Sequence, residues 1–176
     1  MDADDLVIRD ARPADREAVR ALTMQAYGEY ASVMEPDAWA GLAGAIRTGL
    51  DAEGADRIVA ERGGRLLGSV ALFPPAANAY PGETGPASWP ELRLLAVSAE
   101  ARGQGVGQAL VEECVRRARR MGAAELGLHT SRSMAAAMRM YLRMGFVRAP
   151  DHDFQPPGAE LVEAYRLPLS AWREVR

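Results

Sequence analysis

Apolar positions along the chain fall into short runs and helical stripes that set out an order of elements. The run at 6–11, "LVIRDA", predicts a first strand. Pro13 at a helix-start position, then Ala18, Leu22 and Ala26 with Ala21 and Gln25 in helical steps, predict a helix to about Tyr30. A weaker helix is predicted over 36–50. The runs "DRIVAE" (56–61) and "GRLLGSVALF" (64–73), split by "RGG" at 62–64, read as a hairpin. Residues 74–90 hold five prolines and two glycines in 17 positions and read as a functional or mobile loop. A strand over 91–97 then runs into closely spaced glycines and a long amphipathic helix ending near Met121. Its stripe of Leu110, Val111, Cys114, Val115, Ala118 and Met121 is assigned to the core, and "RRARR" at 116–120 to a solvated helix end. A strand over 124–130 is followed by a helix over 134–144, with Met134, Ala137, Met138, Tyr141, Leu142 and Gly145 on one apolar face. Two strands within 145–150 and 161–169 finish the pattern. The order predicts a mixed α/β fold in one domain spanning 1–176.

Composition narrows the chemistry. All 21 basic residues are arginine, which excludes a lysine nucleophile, a Schiff base and a P-loop cation. A net charge of -3 gives no reason to expect nucleic acid as a partner. One cysteine, Cys114, allows no internal disulfide; on the helix stripe it reads as a buried small hydrophobe. With two histidines besides, no metal is expected. The acidic start "MDADDLVIRD" does not read as a secretion signal, and no run has the length of a membrane span, so a cytoplasmic protein without membrane contact is expected.

Gly103, Gly105 and Gly107 remove Cβ atoms where a strand hands over to a helix. Helix-start N–H groups are unpaired and carry partial positive charge, so bare backbone there can wrap a phosphate or pyrophosphate. A dinucleotide fingerprint would need glycine where Gln108 or Leu110 stands, and a Walker loop would need lysine. A tight turn without a ligand is the remaining reading.

"LAVSAEARGQGVGQALV" resembles the acetyl-CoA signature of the GNAT acetyltransferase superfamily, with Arg102, Gly103, Gln104, Gly105 and Gly107 in its core positions. "YLRMGF" supplies the family's second feature, a tyrosine ahead of Gly-Phe, at the expected distance downstream. The resemblance implies a mostly antiparallel sheet flanked by helices, with a V-shaped cofactor cleft between diverging central strands. It implies that the backbone of Leu95, Ala96 and Val97 pairs with a pantetheine arm. It further implies that the turn from Arg102 through Val106 to Gly107 holds the pyrophosphate, with Gln108 just beyond. The family often has a cofactor-contacting asparagine seven residues before the tyrosine; here that position is Met134, with Ser131 or Ser133 as an alternative helix cap.

Acetyl transfer to an amine needs a base, an oxyanion donor and a proton for the thiolate. Tyr141 suits the last role, since a phenol with reference pKa about 10 is protonated at neutral pH; it also reads as a core ring. Two base candidates stay open. His129 shares a strand face with Glu125 and Gly127, and Gly127 is expected to leave room beside it for a ligand. Glu91 opens the strand before the turn, where many relatives use an acid, and its simpler reading is a pairing with Arg93. A water relay remains a third possibility, and the oxyanion donor is assigned to backbone N–H near Leu95–Val97. The acceptor wall is expected from Tyr27, Glu29, Tyr30 and Glu35 on one side and His152 and Phe154 on the other. The acceptor is expected to be a small-molecule amine or a peptide N-terminus, and a homodimer is left open. The rival reading is a non-catalytic acyl-CoA-binding sensor on the same fold.

Overall fold

A computed structural model describes residues 5–75 and 88–173. Most of the expected 74–90 loop lies outside the described residues. Seven strands form one sheet in the order β1-β2-β3-β4-β5-β7-β6. The strands are β1 (Val7–Asp10), β2 (Asp56–Arg62), β3 (Arg65–Phe73), β4 (Glu91–Val97), β5 (Glu125–Thr130), β6 (Val147–Arg148) and β7 (Glu163–Pro168). Every neighbouring pair is antiparallel except β4–β5, which is parallel. Four helices flank it: α1 (Arg16–Gly28), α2 (Pro36–Asp51), α3 (Val106–Arg120) and α4 (Ala135–Arg143).

The sheet is covered on both faces. Leu110, Val111, Cys114, Val115 and Ala118 of α3 and Tyr141 of α4 pack on Leu92, Leu126 and Leu128 in the main core. These α3 positions recur with helical spacing, and their burial is the principal force holding α3 to the sheet. Cys114 is fully buried, which pushes its thiol well above the ordinary range. Helix α1 packs against β3 and β4, and α2 against α1 and β4. Over β5 and β7 a smaller cluster forms from Trp89, Ala149 and Ala164.

Several expectations change in detail. Met121 and Leu142, both assigned to the core, are about half exposed at 48% and 51%, because α3 ends at Arg120 and α4 turns Ala137, Met140 and Tyr141 inward instead. The arginine run is not simply solvated. Arg117 is 13% exposed and bonds Glu113 at 2.9 Å, Asp56 at 3.0 Å and Asp10 at 2.6 Å, clamping α3 to the sheet edge. Arg119 donates to the carbonyls of Leu169 and Trp172, tying down the chain after β7. The strand expected over 145–150 shrinks to two residues, since Pro150–His152 form a 3-10 turn.

Arg9 joins β1 to its surroundings by forking onto Asp15 (2.6 and 3.2 Å) and reaching Glu61 from Nε at 2.9 Å. Asp15 also accepts the Arg12 N–H at 2.7 Å. The Arg9 guanidinium, then that N–H, hold its carboxyl at about 2, below its ordinary 3.8. A depressed carboxyl stabilises the fold above its unfolded pKa, and the contribution fades as pH falls through the folded value. Asp15→Asn is therefore expected to cost ~1 kcal/mol or less at pH 7. Urea melts at stepped pH should show that difference closing between about pH 4 and pH 2.

Candidate active site

The site is built where β4 leaves β5. From Ser69↔Ala96 to Ala71↔Arg93, β3 advances two residues and β4 three, so β4 carries one extra residue. This bulge contains Leu94 at φ +57°, the one described non-glycine residue with positive φ. A side chain in that region is strained by about 1–3 kcal/mol. Packing holds it there: Leu94 lies against α2 so closely that a Cβ on Gly49 would be 3.1 Å from it. Bulges bend their strand and break its pairing, and here β4 and β5 pair only at Glu91↔Gly127. Beyond that point the strands part: Ala96 and Val97 pair with β3, and among the described residues the other backbone edge of Leu95–Val97 has no strand partner. That is a V-shaped cleft with Glu91 at its apex.

The open end of the cleft runs into the glycine turn. After a short 3-10 turn at Ala99–Ala101, Gly103 and Gly105 adopt φ +73° and +79°. A Cβ on either would meet nothing within 4 Å, so the turn faces open space. The first hydrogen bond of α3 runs from the Ala109 N–H to the Gly105 carbonyl, which leaves the N–H groups of Val106, Gly107 and Gln108 ahead of the helical ladder. The turn's side chains are engaged elsewhere: Gln104 with Glu100 and Arg62, Gln108 with Glu112, and Arg102 with Glu29 at 2.7 Å. Helix α4 sits beside this turn, since a Cβ on Gly107 would lie 3.4 Å from Met140 Sδ and 3.5 Å from Val97. Tyr141, next to Met140, is buried with its ring edge-on to Phe146 at 5.6 Å.

At the apex, both base candidates meet. Glu91 Oε1 lies 2.8 Å from His129 Nδ1, and each side chain is only 2% exposed. Arg93 Nε donates to the same oxygen at 3.3 Å while its guanidinium stacks 4.4 Å above the Phe73 ring. His129 Nε2 donates to the His152 carbonyl at 2.9 Å, and Phe154 is edge-on to the imidazole at 5.3 Å. The room expected beside Gly127 is filled by Trp89, whose indole would lie 1.9 Å from a Cβ there and also faces the His152 ring at 4.4 Å. Two buried polar atoms of this cluster, Glu91 Oε2 and Trp89 Nε1, have no hydrogen-bond partner among the described residues.

The expected acceptor residues divide into two places. Tyr27 and Tyr30, with rings 6.1 Å apart, stand at the end of α1 beside Glu29 and its Arg102 contact. Burial foremost, then Tyr30, holds the Tyr27 phenol above its usual range; burial also raises that of Tyr30. Glu35 is exposed just before α2, whereas His152 and Phe154 belong to the His129 cluster. Near the Met134 position, Ser131 and Ser133 bond each other at 2.9 Å, and Ser133 also reaches Glu160. Neither serine caps α4 with its side chain. Sequence reasoning passed over Trp89, for which a tryptophan at the exit of a proline-rich stretch was the available signal; for Leu94 the family resemblance implied a bulge in this strand without placing it at that residue.

Fold and cleft together define a class: a mixed α/β protein whose mostly antiparallel sheet is split between two parallel strands above a glycine turn. The acetyltransferase (GNAT) family model matches residues 17–146, and the chain belongs to that family. It is 33% identical over 134 residues to N-acetyltransferase 8F1 of Mus musculus, covering 74% of this chain and 55% of that protein. It is 34% identical over 88 residues to a mycothiol acetyltransferase of Geodermatophilus obscurus, covering 49% of this chain and 27% of that one. The chain thus spans about half or less of these curated relatives. A protein of Salmonella typhimurium solved with its cofactor acetyl-CoA shares the fold with a TM-score of 0.64 at 20% identity, covering 96% of both chains. Among the described residues no helix is long and apolar enough to cross a membrane, and no group of three or more His, Cys, Asp or Glu could hold a metal ion.

Proposed function

We propose that the protein is an acetyl-CoA-dependent N-acetyltransferase that moves the acetyl group directly to an amine within a ternary complex. The observation that carries this reading is the parting of β4 from β5 at Glu91↔Gly127, opening onto the bare glycine turn. The residues present fit the cofactor: open space at Gly103 and Gly105, unpaired N–H groups at Val106–Gln108 for a pyrophosphate, and the unladdered edge of Leu95–Val97 for an extended arm. Acetyl-CoA, when bound, supplies the acetyl group and a thiolate leaving group. Family membership and the acetyl-CoA-bound neighbour support the choice.

The chain's own work is proton handling. An alkylammonium with pKa about 10.4 costs roughly 4–5 kcal/mol to deprotonate at pH 7. Glu91 takes that proton, through a bridging water because its carboxylate is buried. His129 is not the acceptor of that proton, since both ring nitrogens are already committed. Tyr141 Oη holds a proton for the departing sulfur. The acceptor is a small-molecule amine or a peptide N-terminus, approached between the α1 end at Tyr27, Glu29 and Tyr30 and the segment carrying Phe154.

Calorimetric titration with acetyl-CoA, beside thiol release against a panel of amines, tests the reading. Binding with amine-dependent release is expected; binding without turnover on any amine would favour a sensor role. Tyr141→Phe keeps the ring that packs on Phe146 but removes the proton, so kcat should drop roughly 10²-fold while acetyl-CoA affinity stays within about twofold. An acetyl thioester with a weakly basic leaving thiol should shrink that loss, and an equal loss with both donors would remove Tyr141 from the role.

A further inference from the structure

The His152 carbonyl can only accept, so the His129 Nε2 atom 2.9 Å away carries hydrogen. A hydrogen bond between His129 Nδ1 and Glu91 Oε1 at 2.8 Å needs one further proton on that line. The pair is therefore either imidazolium with carboxylate or neutral imidazole with carboxylic acid. The Arg93 guanidinium, donating to the same Oε1 at 3.3 Å, sets a cation beside the carboxyl and sides with the charged pair.

Oxygen Oε1 thus takes two donors, from His129 and Arg93, while Oε2 is buried with no hydrogen-bond partner among the described residues. A buried carboxylate oxygen left unpaired is costly, so the asymmetry marks Oε2 as the atom awaiting a donor. We propose that His129 is a positioning residue: as an imidazolium it pins Glu91 by Oε1 and leaves Oε2 to receive the acceptor's proton. The same imidazolium anchors the acceptor-side segment through the His152 carbonyl, so base and acceptor wall are held by one ring. Among the described residues, the charged and titratable groups set about it include Glu91 and Arg93 from β4 and His152 and Asp153 from the segment after β6; its β7 partner is the uncharged Ala164. Asp153 is itself held below its ordinary value, by Arg148 above all, and adds negative charge facing the ring. The assignment rests on Glu91 being the base, and its test is separable from that reading.

The first arm uses no turnover. Long-range proton–nitrogen correlation spectra of the 15N-histidine-labelled wild type at pH 7 should show protons on both His129 nitrogens. In Glu91→Gln the ring should become neutral, keeping its proton on Nε2 only. An unprotonated Nδ1 in the wild type at pH 7 overturns the proposal. The second arm is kinetic: His129→Phe should lower kcat/KM about 30-fold and shift the acid limb of its pH profile, whereas His129→Gln, which can again donate to Oε1, should recover most of the loss. Equal impairment in both variants, with melting temperatures like that of the wild type, also overturns it. Failure of the wild type to acetylate any amine would remove the transferase reading while the spectra still decide the state of the pair.

Discussion

Glu91→Gln is expected to lower kcat/KM for amine acetylation by about 10²–10³-fold at pH 7. Glutamine is nearly isosteric, so the apex of the cleft stays packed. What disappears is the ability to take a proton from an ammonium ion, which costs roughly 4–5 kcal/mol at neutral pH without help. The loss should therefore depend on pH. As the pH approaches the acceptor's own pKa, about 10 for an alkylamine and about 8 for a peptide N-terminus, more amine is already neutral and the variant should close on the wild type. Acetyl-CoA affinity should be unchanged, because the glycine turn is at the other end of β4. A deficit that stays constant from pH 7 to pH 9.5 would mean that Glu91 acts through structure and not as the base.

Gly127→Ala should be the most damaging single-methyl substitution near the site. Its Cβ would stand 1.9, 2.3 and 2.9 Å from three atoms of the Trp89 indole, inside any real contact distance. Trp89 is 7% exposed and faces His152, so it has to leave a packed position and loosen the segment that His129 anchors. Overpacking of this kind costs about 1–3 kcal/mol, and a domain of this size loses roughly 2–4 °C in Tm per kcal/mol. The origin can be isolated by a double-mutant cycle. In a Trp89→Ala background the alanine at 127 meets empty space, and its cost should fall to a small fraction. A full cost in that background would mean that the strand, not the indole, rejects the methyl group.

These two substitutions fall on residues of very different legibility. The glycine turn could be read at once, because alternate glycines between a strand and an amphipathic helix have few uses, and the positive φ angles at Gly103 and Gly105 answer to them directly. The helix carrying Tyr141 was legible from the spacing of its apolar neighbours, and so was its packing as a core ring. Glu91 and His129 were each visible as candidates, yet as competitors. They are 38 residues apart, and only the single β4–β5 pairing at Glu91↔Gly127 brings them to 2.8 Å. Nor did any periodicity foretell the Leu94 bulge, since leucine has no preference for positive φ and is held there by contact with α2. Leu142 and Met121 misled for the converse reason: a helical stripe gives an apolar face but not how far the partner surface extends beneath it.

By itself the sequence determined which elements form, in what order, and which chemical groups are present, because hydrophobic period, glycine placement and the lack of lysine act locally along the chain. The resemblance implied that the central strands diverge, but the tertiary structure alone decided that β4 and β5 part after the one pairing at Glu91↔Gly127, that Trp89 occupies the hollow over Gly127, and that Glu91 meets His129 and Arg93 through one oxygen. Those outcomes depend on strand register, where a shift of one residue turns every side chain to the opposite face. Register is fixed by the packing of the whole sheet against its helices, and no single stretch of the chain contains it.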